Sequence, residues 1–155
     1  MGTNQRAAIQ MSAAEIDEFL HERRTMSMAT IGPDGRVQLV AMWYGFDGDD
    51  IVFETKAKSQ KVANLRRDPR LTVMVEAGDS YDELRGVELV GTGELIDDPG
   101  TLWRVAVSVW ERYQGPYSED VRPLVEAMTR KRVAVRLRAE RVVSWDHRKL
   151  GGPVG

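Results

Sequence analysis

The chain has 155 residues, of which 42% are apolar, and its formal net charge is −2. This length supports one hydrophobic core, so we expect a single domain over residues 1–155. The absence of Cys excludes disulfides and Cys-ligated metals, and two histidines are too few for a three-His site, so we expect no metal centre.

The first half of the chain predicts one helix followed by three strands. Ser12 and Glu15 form a capping-box pattern that begins a helix ending near Arg24, and we expect a disordered tail over residues 1–11. Alternating apolar residues and intervening turn residues predict strands over 25–31, 36–46 and 51–55. We expect these three strands to pair in meander order.

The second half predicts further strands with helices inserted between them. Ser59 can cap a helix that runs to Arg67, because its hydroxyl can accept a hydrogen bond from a free amide. Alternation predicts strands over 71–77 and 86–96, then two helices, then a last strand from about Arg132 with one buried face. The fold class we expect is mainly β (α+β), a six- to seven-stranded antiparallel barrel with peripheral helices.

Two segments of the chain carry an excess of positive charge. Residues 54–70 hold six basic and two acidic residues, and residues 130–149 hold eight basic and two acidic residues. Sorting of charge along a chain is typical of a surface that binds anions, although two strands with basic outer faces would give the same pattern.

The first basic segment contains a candidate anion site. Thr55, Lys58, Ser59 and Lys61 span the passage from a strand into a helix N-terminus, where free amides and the helix dipole favour a phosphate. The alternative is that the two lysines lie on an exposed helix face and that Ser59 is only a cap.

Other functional patterns are missing from the sequence. It has no phosphate-binding GxxxxGK[ST] motif, no dinucleotide fingerprint and no GxSxG nucleophile motif. No aromatic residue lies between Tyr117 and Trp145, which counts against nucleic-acid binding by the basic segment 130–141. The polar first ten residues lack a signal-peptide core and no 18 apolar residues run together, so we expect a cytoplasmic protein without membrane contacts.

A family resemblance lies in residues 34–76, which read DGRVQLVAMWYGFDGDDIVFETKAKSQKVANLRRDPRLTVMVE. This stretch, with RGVELVGTGEL at 85–95 and SWDHRKL at 144–150, resembles the pyridoxamine 5′-phosphate oxidase-like split-barrel flavoproteins. The resemblance implies an FMN-binding split β-barrel that forms a homodimer, with the cofactor at the subunit interface.

The resemblance also implies which residues contact the cofactor. Ser59, Gln60 and Lys61 would hold the phosphate, with Lys58 beside them and Glu54 and Thr55 on the preceding strand. The ring would lie along the strand that contains Val40, Ala41, Met42, Trp43 and Tyr44, and Trp145 would close the site in the dimer. Alternatively, Trp43 and Tyr44 are ordinary strand aromatics and Trp145 fills the core or an interface.

Two departures from the oxidase pattern bear on the activity. Gln60 stands where the oxidase has an Arg, and Gly86 stands where it has a flavin-contacting Gln, which counts against the oxidase reaction itself. The segment KVANLRRDPR resembles the branch that uses the deazaflavin coenzyme F420, whose anionic tail suits two basic segments. The resemblance therefore implies hydride transfer from F420 to a small unsaturated substrate; alternatives are an FMN-dependent enzyme or a non-catalytic flavin-, F420- or haem-binding protein.

Overall fold

The computed structural model describes residues 4–23 and 25–151. In this part of the chain the α-helices are α1 (Gln5–Ala8), α2 (Ala13–Glu22), α3 (Gln60–Arg67), α4 (Pro99–Tyr113) and α5 (Arg122–Thr129). The strands are β1 (Met26–Ile31), β2 (Val37–Met42), β3 (Gly45–Asp47), β4 (Asp50–Lys56), β5 (Arg70–Ala77), β6 (Arg85–Ile96) and β7 (Arg132–Asp146).

The seven strands form one antiparallel sheet in the order β2-β1-β5-β6-β7-β4-β3. The sheet curls into a split barrel, which confirms the predicted fold class. A β-bulge interrupts the pairing of β6 with β7 between Val90 and Gly91. A β-carbon on Gly91 would collide with the carbonyl group of Arg138, so the close backbone approach at this bulge requires glycine.

The helix boundaries follow from local capping chemistry. The Ser12 hydroxyl accepts a hydrogen bond from the Glu15 amide, and the Glu15 carboxylate accepts one from the Ser12 amide, so the predicted capping box is confirmed. Ser59 caps α3, which ends at Arg67 as predicted. Asp98 accepts hydrogen bonds from the Thr101 amide and hydroxyl and so begins α4.

The core has two parts on opposite faces of the sheet. The larger cluster fills the interior of the curled sheet and includes Met28, Phe53 and Val73. A smaller cluster lies between the other face of β4 and β7 and helix α4. Ala134 belongs to this second cluster and is fully buried, so the prediction of one buried face on the last strand is wrong around residue 134, because α4 covers the second face.

The predicted strand over 36–46 is wrong, because β2 and β3 are separate strands at opposite ends of the sheet. The break falls at Trp43 and Tyr44, where side chains of α4 bind the backbone. The Tyr113 hydroxyl lies 3.1 Å from the Tyr44 amide, and Arg112 Nε donates to the Tyr44 carbonyl at 2.8 Å. The predicted meander is wrong for the same reason, since β2 pairs with β1 and not with β4.

The predicted disordered tail also differs from the structure, which describes this segment from residue 4 onward. Residues 5–8 form α1, and Met11 is buried in the core. The Ile9 carbonyl accepts a hydrogen bond from the Asp146 amide at 2.7 Å, which ties the segment to the end of β7. Residues 1–3 lie outside the described part of the chain.

Candidate functional site

The junction between β4 and α3 presents polar and basic groups to solvent. Ser59 has extended backbone geometry as the N-cap of α3, and its hydroxyl accepts a hydrogen bond from the Val62 amide. Lys58 is exposed and Lys61 is half-buried, and neither makes an ion pair with a described residue. This arrangement combines the positive end of a helix dipole with two available ammonium groups, which suits an anion.

The start of β7 brings a second set of basic residues to the same place. The Ala57 amide donates to the Lys131 carbonyl at 2.8 Å, and Lys56 is in register with Arg132. We use the name cationic junction for six residues that make no ion pair within the described residues: Lys56, Lys58, Lys61, Arg130, Lys131 and Arg132. The junction is a surface on which several negative charges can bind together.

Most other basic residues of the segment 130–149 are neutralised within the protein. Arg136 pairs with Asp47 and Asp50, and Arg138 pairs with Glu94. Further along the chain, Arg148 pairs with Asp146 at 2.8 Å and Lys149 with Glu15 at 2.7 Å. Only the first three basic residues of this segment therefore belong to the junction.

A buried amide holds α3 against the sheet. Asn64 is fully buried, and its Nδ2 donates to the Thr30 hydroxyl and to Gln38 Oε1. Its Oδ1 accepts hydrogen bonds from Gln60 Nε2 at 2.8 Å and from Arg67. The Gln60 side chain therefore helps to position the helix. The group of Gln60 that can contact a phosphate is its backbone amide.

A cleft opens between the end of β2 and helices α4 and α5. It has a volume of about 460 Å³. Three predicted site residues line it: Met42, Trp43 and Glu54. The other lining residues were not predicted as site residues: Val109, Trp110, Gln114, Leu124, Met128 and Arg132. Lys58, Ser59, Gln60 and Lys61 do not line this cleft, but Arg132 belongs both to it and to the cationic junction.

Glu54 is the buried titratable group of this cleft. Its residue surface is 8% exposed, and its Oε2 atom has no hydrogen-bond partner among the described residues. Burial raises the pKa of the Glu54 carboxyl to about 7, and the positive charge of Arg132 acts in the opposite direction. The carboxyl can therefore exist in both protonation states near neutral pH.

The other predicted residues of β2 and β4 do not all face the cleft. Thr55 is buried on the face of β4 that carries Phe53, opposite to Glu54. Val40 packs against the large core, and Ala41 is exposed on the other face of β2.

Tyr44 has a structural position instead of a place in the cleft. Its side chain is fully buried, and its hydroxyl lies 2.6 Å from the Leu20 carbonyl and 2.9 Å from the Arg23 carbonyl. Burial raises the pKa of the Tyr44 hydroxyl to about 12. This residue therefore ties the segment between β2 and β3 to the end of α2.

Trp145 lies near the end of β7 that is distant from the cleft. It is in register with Gly86, and its indole ring occupies the space where a β-carbon on residue 86 would stand. Arg132 begins the same strand, about 40 Å away along an extended chain. Within one subunit, the strand therefore separates Trp145 from the cleft.

The chain belongs to the pyridoxamine 5′-phosphate oxidase family, whose model matches residues 12–146. In the described residues, no helix is long and apolar enough to cross a membrane, and no group of three or more His, Asp or Glu side chains could hold a metal.

Solved structures give the same fold. A conserved hypothetical protein from Mycobacterium tuberculosis, Rv2991, is 56% identical, with a TM-score of 0.94 over 97% of this chain and 94% of that one. An F420 reductase is 28% identical, with a TM-score of 0.64 over 81% of this chain and 94% of that one. HutZ, a haem storage protein from Vibrio cholerae, is 17% identical, with a TM-score of 0.68 over 87% of this chain and 96% of that one, a likeness of fold alone.

Proposed function

We propose that this protein is a homodimeric oxidoreductase that binds coenzyme F420 and uses the reduced form to reduce an unsaturated organic acceptor. The observation that carries this proposal is the cationic junction, where six basic residues that make no ion pair with any described residue lie on segments that meet beside a helix N-terminus. A cofactor with a phosphate and a tail of carboxylates supplies the several negative charges that such a surface binds.

Different parts of the junction suit different parts of the cofactor. The Gln60 and Lys61 backbone amides and the Lys61 ammonium suit the phosphate, because the first amides of a helix are free to donate. Lys56, Lys58 and the basic residues at the start of β7 suit the carboxylates. When bound, the reduced deazaflavin supplies a hydride, and the protein orients the ring and excludes water from it.

The cleft beside the junction suits the ring and the acceptor. Met42 and Trp43 form an apolar wall at the end of β2, and Arg132 connects this wall to the junction. The similarity to an F420 reductase supports this choice of cofactor.

The outer face of the sheet supports the homodimer. Val37 and Leu39 lie on the same face of β2 and are 63% and 71% exposed. Exposed large apolar side chains on one face of a sheet are typical of a protein interface. A second copy bound to this face would also bring Trp145 close to the partner's cofactor. Within one subunit, Trp145 is distant from the cleft.

The test is a titration of the protein without cofactor, using F420 and FMN in parallel. We expect F420 to bind more tightly than FMN and its affinity to fall as salt is added, because several charges are neutralised. Lys61→Ala should weaken F420 binding by about 1.5 to 3 kcal/mol, the contribution of a hydrogen bond to a charged group.

Arg36→Ala is the matched control, because Arg36 is an exposed cation in the turn between β1 and β2, outside the junction. Tighter binding of FMN than of F420 would contradict the choice of cofactor. An equal loss of affinity in Arg36→Ala and Lys61→Ala would contradict a specific phosphate site at the start of α3.

A further inference from the structure

The cleft contains two buried polar atoms that the described residues leave without a partner. One is Glu54 Oε2 and the other is Trp110 Nε1, which belong to β4 and α4. Buried polar atoms in folded proteins nearly always have a hydrogen-bond partner, so two exceptions in the wall of one cleft indicate a polar ligand. The Glu54 side chain is the stronger indication, because its residue surface is 8% exposed.

The surroundings of Glu54 favour the uncharged carboxyl. The residues of α4, of its C-cap and of α5 that line the cleft are uncharged, and include Val109, Gln114 and Met128. Charged groups on the same face of the sheet include Lys56 on β4 itself and Arg132 and Arg136 on β7. Arg136 pairs with Asp47 and Asp50, and none of these three cations makes an ion pair with Glu54. Tyr113 of α4 is occupied in stacking on Trp43. In such a setting the ionised carboxylate lacks the solvation that water would give it and has no paired cation, so the neutral carboxyl is favoured.

We propose that Glu54 is the proton donor to an uncharged acceptor that carries a conjugated carbonyl group and binds in this cleft. The inference rests on the proposed function and deepens it, because it names the acceptor class and the residue that completes its reduction. The apolar walls suit the hydrocarbon part of such an acceptor, and the carboxyl O–H suits its carbonyl oxygen.

The reaction balances in atoms and electrons. The acceptor gains a hydride at its β-carbon from the reduced deazaflavin, so it takes up two electrons and becomes an enolate while the cofactor is oxidised by two electrons. The enolate oxygen then takes the proton from Glu54, the resulting enol tautomerises in water to the saturated carbonyl compound, and solvent returns a proton to the carboxylate. A carboxyl group with a pKa near the working pH is suited to this role, because it is often protonated and still gives up its proton.

The first experiment measures binding and needs no cofactor. 2-Cyclohexen-1-one is titrated into the protein at pH 6 and pH 8, and binding is followed by tryptophan fluorescence. The wild-type affinity should be about tenfold weaker at pH 8, because ionisation of a carboxyl with a pKa of about 7 lowers its neutral fraction by that factor. Glu54→Gln should bind equally well at both pH values, because its amide donates a hydrogen bond in each case.

The second experiment measures turnover of the same compound with reduced F420. Glu54→Gln should lower kcat at least a hundredfold while KM at pH 6 changes little, because the amide can bind the carbonyl but cannot supply a proton. Glu83→Gln, at an exposed position remote from the cleft, is the matched control and should match the wild type.

The two proposals fail in different ways. If wild-type binding of the enone is the same at pH 6 and pH 8, or if Glu54→Gln keeps the wild-type kcat, the role of Glu54 is overturned whatever cofactor binds. If the pH-dependent binding is found and F420 does not bind, the proposed function is wrong, and the cleft remains a site for conjugated carbonyl compounds.

Discussion

The backbone amide of Ala57 donates a hydrogen bond to the carbonyl oxygen of Lys131 at 2.8 Å, and this bond joins the two basic segments of the chain. Because the contact fixes the loop before α3 against the start of β7, cations that are about 70 residues apart in sequence meet at one surface. The positive charge on that surface thus depends on a backbone contact as well as on the residues themselves.

Lys131 offers a test that separates binding from folding. Its φ is 56°, a left-handed conformation next to the C-cap of α5, where glycine is favoured. Lys131→Gly should therefore raise the free energy of unfolding by about 1 kcal/mol, whereas it should weaken F420 binding several-fold at low salt through the loss of one cation. Chemical denaturation and titration measure the two effects.

Lys131→Ala is the comparison for that experiment. It removes the same charge and keeps a β-carbon, so it should lose the same affinity without the gain in stability. An unchanged F420 affinity in both variants would place Lys131 outside the anion site.

Glu54 should make the stability of the protein depend on pH. Its pKa is raised from 4.5 in the unfolded chain to about 7 in the fold, so the folded state binds the extra proton between these values. The neutral carboxyl makes its full contribution to the free energy of unfolding below about pH 4.5. This contribution, on the order of 3 kcal/mol, is lost as the pH rises to about 7.

The matched variant is Glu54→Gln, which cannot ionise. Its stability advantage over the wild type should be larger at pH 8 than at pH 5, and urea unfolding at both pH values measures this difference. A constant difference between the two proteins over this range would show that Glu54 has an ordinary pKa.

Asn64 should be required for both stability and anion binding. Its fully buried side chain satisfies Thr30, Gln38 and Gln60, so Asn64→Ala leaves several polar groups without a partner. We expect a loss of about 2 to 4 kcal/mol in the free energy of unfolding, together with weaker F420 binding because the start of α3 moves. Ala63→Ser, at an exposed neighbouring position, should change neither quantity.

Local chemistry in the sequence predicted much of this fold. The capping residues Ser12 and Ser59 gave the starts of α2 and α3, and alternation placed β5 and β6 within one residue of their ends. The break between β2 and β3 could not be predicted in this way, because Arg112 and Tyr113, about 70 residues further along the chain, bind the backbone there. A pattern within one strand carries no information about such a partner.

The candidate site also has one part that the sequence predicts and another that depends on tertiary packing. The junction of Lys58, Ser59 and Lys61 is a local motif, so sequence alone places it at a helix N-terminus. Trp110 and Arg132 reach the site only through the packing of α4 and the register of β7, and neither has a spacing that marks it. The basic run at 130–132 belongs to the segment whose positive charge the sequence shows, but its place beside α3 depends on its strand partner β4.

Trp145 and Gly86 should behave as a coupled pair. A β-carbon on residue 86 would collide with the Trp145 indole, so Gly86→Ala must displace the ring and should destabilise the fold by about 1 to 3 kcal/mol. Trp145→Ala removes the ring, and Gly86→Ala should cost much less in that background, giving a coupling energy of at least 1 kcal/mol in a double-mutant cycle measured by urea unfolding. If Trp145 also closes the partner's cofactor site, Gly86→Ala should weaken F420 binding in the otherwise wild-type protein and have no further effect once the indole is absent. Additive effects on stability would mean that the ring moves aside freely, and the space above Gly86 would then not fix the position of Trp145.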